Sequence, residues 1–106
     1  MSANNPDISS AFMAFSKEAP AHAGAWAEMV QSMAKASALD QKTSALAYLA
    51  VLAAAGLVSG VPFHAKQAKV AGASREEVIS AILIGLPAAG NRVTQALPIA
   101  IKAFDE

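Results

Sequence analysis

Four residues of this chain have side chains suited to acid–base or anion chemistry in a setting that the sequence defines: His64, Lys66, Arg92 and His22. His64 closes the segment Gly60-Val61-Pro62-Phe63-His64, and Ala71-Gly72-Ala73-Ser74-Arg75-Glu76-Glu77 follows it. Histidine is the side chain that trades protons near neutrality. On a helix running from Pro62 to Gly72, Ala68 and Ala71 share its face, whereas Lys66 and Lys69 point elsewhere, toward solvent. An inward histidine beside small residues has room for a substrate and suits proton transfer. The plainer reading is a buried structural histidine bonded to a carbonyl. Arg92, after Gly90-Asn91, could clamp a carboxylate in bidentate fashion; a surface arginine is the alternative. His22 falls in the first turn of a helix, where the positive end of the dipole disfavours its protonation. Neither histidine forms a metal-ligand spacing with Glu28, Glu76 or Glu77, so no metal site is expected. The run Gly85 to Gly90 lacks the lysine and the preceding strand of a phosphate loop.

These residues must be held by helices, because no alternating pattern of strand type persists anywhere. The chain reads as all-α, with about six helices. Asn5-Pro6 marks the start of the first, with the stripe Ile8, Ala11, Phe12 and Phe15. The second opens near Pro20 and carries Trp26, Met29, Val30 and Met33 on one face. Asp40 caps a third helix over residues 41–56, apolar all round after its first turn and therefore central. Ser59-Gly60 breaks the run, and Pro62 opens the fourth helix. Gly72 ends it by taking a left-handed conformation without steric cost. Ser74 to Glu77 is a capping box for the fifth helix, with Val78, Ile79, Ile82, Leu83 and Leu86. Gly85, Pro87 and Gly90 weaken its end. The sixth carries Val93, Ala96, Leu97, Ala100, Ile101 and Phe104, with a kink expected at Pro98.

A chain of 106 residues is expected to form one domain. It is 55% hydrophobic and only 15% charged, more apolar surface than a small monomer can hide, which predicts a homo-oligomer. Eight basic and eight acidic residues leave no basic stripe for nucleic acid. The longest apolar run, 45–58, is short of the roughly 20 residues of a membrane span. The first residues lack the features of a signal peptide, and a cytoplasmic protein is expected. With no cysteine, disulfides, thiolate metal sites and thiol catalysis are excluded together.

The order and spacing of Leu39-Asp40-Gln41-Lys42-Thr43, the apolar helix Leu46 to Leu52, Val61-Pro62-Phe63-His64 and the Gly72 to Ile82 junction resemble the carboxymuconolactone decarboxylase family. That family includes the AhpD-type alkylhydroperoxidases, and the resemblance implies an all-α bundle assembled as a homotrimer or homohexamer. AhpD-type members use a glutamate, two cysteines and a histidine. Only His64 matches, since Ala45, Leu57 and Gly60 stand at the other positions. A thiolate must attack the peroxide, so thiol peroxidase activity is not expected. The resemblance is closer to the cysteine-free decarboxylase branch, which releases CO₂ from a carboxylated lactone without a cofactor. It implies His64 as proton donor or acceptor, with Arg92 or Lys66 supplying charge to the carboxylates. The alternative is a non-catalytic oligomer that binds a small apolar ligand on the same fold.

Overall fold

The computed structural model describes residues 7–106, and the helix start expected at Asn5-Pro6 lies outside them. The described residues form seven α-helices and two 3₁₀ segments, with no strand. By backbone proximity the chain divides into two compact units, Met1–Asp40 and Gln41–Glu106.

In the first unit, α1 spans Ser10–Glu18 and α2 spans Pro20–Ala36. Ser9 caps α1 by accepting from the Phe12 amide at 3.1 Å, so this helix begins at Ser10. Ala19 and Pro20 make the corner, with proline in the first turn of α2, where its missing N–H costs nothing. Phe12 meets the edge of Trp26 with ring centroids 5.2 Å apart. No residue of either helix is buried. The stripe read from the sequence is exposed, from 39% at Trp26 to 65% at Met33.

The second unit holds the core. Helix α3 (Gln41–Ala55) packs against α4 (Val61–Val70) and α5 (Arg75–Leu83), and α7 (Ala96–Asp105) closes the bundle against α4 and α5. Only Leu49, Leu52 and Ala53 of α3 are buried, whereas Tyr48 and Val51 are exposed. The helix is therefore central on one side and bare on the other, not buried all round. Its end falls where the bounds 41–56 put it, at Gly56, ahead of the Ser59-Gly60 break. Gly56 takes φ +74°, and the amides of Gly56 and Leu57 bond back to the carbonyls of Ala53 and Leu52. This closure satisfies carbonyls that a helix end leaves orphaned. Gly72, at φ +100°, closes α4 in the same way, with Ala73 N–H bonding the Ala68 carbonyl at 2.9 Å.

Helix α5 starts on the expected capping box: the Ser74 hydroxyl accepts from the Glu77 amide, and the Glu77 carboxylate accepts from the Ser74 amide. That hydrogen bond, with Lys42 at 2.9 Å, holds the Glu77 carboxyl below the usual carboxylate range. Ser74→Ala should destabilise the protein by about 1 kcal/mol in urea unfolding without a change in slope.

After α5 the chain makes a four-residue helix, α6 (Leu86–Ala89), and a 3₁₀ segment over Gly90–Gln95. The kink expected at Pro98 is absent, because Pro98 lies in the first turn of α7. A first-turn amide has no intrahelical partner, so proline displaces no bond there.

Candidate functional site

His64 lies on α4 at the margin of the helix's buried face, which is formed by Val61, Ala65 and Ala68. At about 100° per residue, the imidazole stands roughly 65° from the middle of that face. It is therefore half-buried, and the alanine-lined recess expected around it is not what it meets. Its neighbours are aromatic: the Tyr48 ring at 4.4 Å between centroids and the Phe63 ring at 5.1 Å, nearly perpendicular. Its Cδ2 also lies over Gly60, beside Leu52. Neither ring nitrogen bonds another described residue. Burial makes the charged form costly and lowers the His64 pKa below the ordinary histidine value.

That direction fixes a pH dependence. With the folded pKa lower than the unfolded one, the unfolded state binds more protons between the two values. The stability linked to His64 is therefore complete above the ordinary histidine range and is lost as pH falls through the folded pKa. Proton NMR should show His64 titrating below a free histidine. A midpoint at or above the free value would overturn the packing described for the ring.

The structure does not gather the other sequence-predicted residues around His64. Lys66 stands about 200° round α4 from it and pairs with Glu106 at 2.8 Å. Neighbouring cations also serve the end of α7: Lys69 donates to the Phe104 carbonyl at 2.7 Å and lies over the Phe104 ring. Arg75 takes Asp105 in bidentate fashion and holds its carboxyl below the usual range. These residues lie toward solvent, as expected, and complement the negative end of the helix. Arg92 lies against the Gly56 turn and donates to the Ala54 carbonyl at 3.5 Å, a long bond at the end of α3. Neither His64 nor Arg92 shares a hydrogen bond or ion pair with the other or with Lys66. His22 is exposed on α2.

Tyr48 is the site neighbour that sequence reasoning missed. Its signal was present: it is the chain's single tyrosine and the one hydroxyl within the apolar run 45–58. A separate open groove of about 460 Å³ lies between α3 and α5, lined by Leu46, Ala47, Ala50, Ala81 and Ile84 with Glu76 at its rim. Ala50 is about 200° round α3 from Tyr48, so this groove is on the other flank.

Among the described residues no group of three or more histidines and acids is placed to hold a metal, and no helix is long and apolar enough to cross a membrane. A family model for the carboxymuconolactone decarboxylase family matches residues 20–102. The chain belongs to that family. The match covers about half of the first unit and nearly all of the second, and agrees with the helical architecture. Comparison with curated proteins gives no match, and comparison with solved structures gives none. It is a cysteine-free carboxymuconolactone decarboxylase family protein, with no thiol to act beside His64.

Proposed function

We propose that this protein catalyses cofactor-independent proton transfer at His64, in a lyase or related reaction on a small carbonyl compound. The observation that carries this is a half-buried imidazole between Tyr48 and Phe63, with both nitrogens unbonded to described residues and its pKa lowered. Such a ring rests neutral near neutrality and begins as a proton acceptor. It takes a proton from carbon beside a carbonyl, the C–H electron pair moves into the enolate, and the imidazolium returns the proton to carbon.

We also read the active form as a homo-oligomer, the trimer or hexamer implied by the family, built from one domain per chain. The α1–α2 hairpin supports this, because it buries no residue and exposes Trp26, Met29, Val30 and Met33. The test is deuterium uptake from D₂O into small ketones and lactones incubated with wild-type protein and with His64→Gln. A second reading, a non-catalytic oligomeric binding protein, is favoured by Ala45, which stands where the family's relay carboxylate would assist the histidine. It predicts ligand binding without exchange.

A further inference from the structure

We propose that Tyr48 and His64 together form the binding face for an uncharged, planar ring compound carrying a hydrogen-bond acceptor, of the cyclic enone or aromatic carbonyl class, and not for a carboxylate. This deepens the proposed function, and rests on its reading of His64 as the reacting group.

The first observation is the shape of the surface. The Tyr48 and His64 rings are inclined at 47° with centroids 4.4 Å apart, and Tyr48 is 45% exposed. Leu52 and Gly60 lie at the inner side of the imidazole, and Phe63 flanks it. Exposed Val51 follows Tyr48 by three residues on α3, within side-chain reach along the helix. A flat, largely apolar molecule can cover these rings by stacking and edge contact.

The second observation is chemical. Among the described residues, the Tyr48 hydroxyl and both His64 nitrogens have no hydrogen-bond partner. A phenol hydroxyl can donate to a carbonyl oxygen while a neutral imidazole accepts a proton. The ligand therefore needs an acceptor oxygen near an acidic C–H. Tyr48 stands about one turn after Ala45 on α3, so its hydroxyl is the polar group which that helix brings to the imidazole.

The third observation excludes a carboxylate clamp. The second unit has six cations, and each is accounted for away from the imidazole. Lys42 pairs with Glu77, Lys66 with Glu106, and Arg75 with Asp105. Lys69 and Arg92 donate to the carbonyls of Phe104 and Ala54. Surface pairing alone would not immobilise these groups, but their positions are decisive. Lys66 is on the opposite side of α4 from His64. Arg92 sits at the Ala54 and Gly56 end of α3, and Ala54 is about 200° round that helix from Leu52. Lys102 is about 200° round α7 from buried Ala100. A carboxylate at Tyr48 and His64 would lose hydration without gaining a cation of this unit.

The experiment titrates the full-length protein with cyclohexenone and, separately, with benzoate, following the His64 and His22 imidazole signals by NMR near neutral pH. Cyclohexenone should shift His64 saturably, leave His22 unmoved, and bind at least about tenfold more tightly than benzoate. Tyr48→Phe should weaken binding by about threefold to tenfold through loss of the hydroxyl donor. Tyr48→Ala should weaken it further, while Arg92→Gln and Lys66→Gln change it less than twofold, by about the noise of the titration. Tyr48→Phe keeps the ring, so the test stands even where Tyr48→Ala fails to fold. The proposal is overturned if cyclohexenone leaves His64 unmoved, if benzoate binds equally well, or if Tyr48→Phe binds as wild type does. Cyclohexenone binding without deuterium uptake would remove the proton-transfer reading and leave the ligand class standing. Deuterium uptake confined to carboxylates and lost in Arg92→Gln would do the reverse.

Discussion

His64→Gln lowers kcat/KM for carbon-bound proton exchange by about 10²–10⁴-fold, the usual contribution of one positioned acid–base group. Glutamine keeps a polar group of similar reach but does not cycle a proton near neutrality. The fold should survive, because His64 is at the margin of the α4 buried face and bonds to no described residue. The cost to stability is then limited to the lost ring contacts with Tyr48 and Phe63. The wild-type rate should be flat at neutral pH and fall on acidification through the depressed His64 pKa, because the protonated ring is no longer a base. His22→Gln supplies the control: His22 is exposed on α2, and its loss should leave the rate unchanged. Full exchange activity in His64→Gln, with an unchanged circular dichroism spectrum, would remove the acid–base assignment.

What the sequence made legible was local. The capping box at Ser74, the Gly72 closure, Pro20 and Pro62 in helix first turns and the start of α3 at Gln41 all depend on residues within a few positions of one another. The stop of α3 at Gly56 was legible too, because the backbone there takes a left-handed turn that closes two orphan carbonyls. An error arises where the start of an element is misplaced. Pro98 reads as a kink only if α7 already runs through Val93, and the intervening 3₁₀ segment removes that premise. The surroundings of His64 were not legible because they are distant in the chain. Tyr48 comes from another helix, Lys66 reaches Glu106, and Arg92 returns to the end of α3. Helical periodicity tells which side of α4 His64 occupies, but not which residue of α3 meets it.

The largest expected loss of stability follows from the composition of that core. Leu49→Ala should destabilise the protein by about 3–5 kcal/mol, in the upper part of the range for such truncations. Leu49 is fully buried on α3, where α4 and α5 converge. The cost of a cavity depends on how far its walls can relax into it. The core as a whole resists relaxation: Ala53, Ala65, Ala68, Ala73, Ala96, Ala100 and Ala103 make up much of the buried set. Alanine has no side-chain rotamer with which to fill a neighbouring void, so closing the hole would require whole helices to move. The other large, fully buried side chains are Ile82, Val61, Val78 and Val93, all four β-branched and stiff. Domains of this length are stable by about 5–15 kcal/mol in all, so the variant should lose much of its cooperative unfolding transition. Ile84→Ala is the matched comparison, since Ile84 is 73% exposed and its truncation should stay within about 0.5 kcal/mol. Urea unfolding of the two variants decides the matter. A Leu49→Ala cost near that of Ile84→Ala would mean that the helices shift together readily. The close, alanine-set spacing of α3, α4 and α7 would then not be what holds Tyr48 against His64.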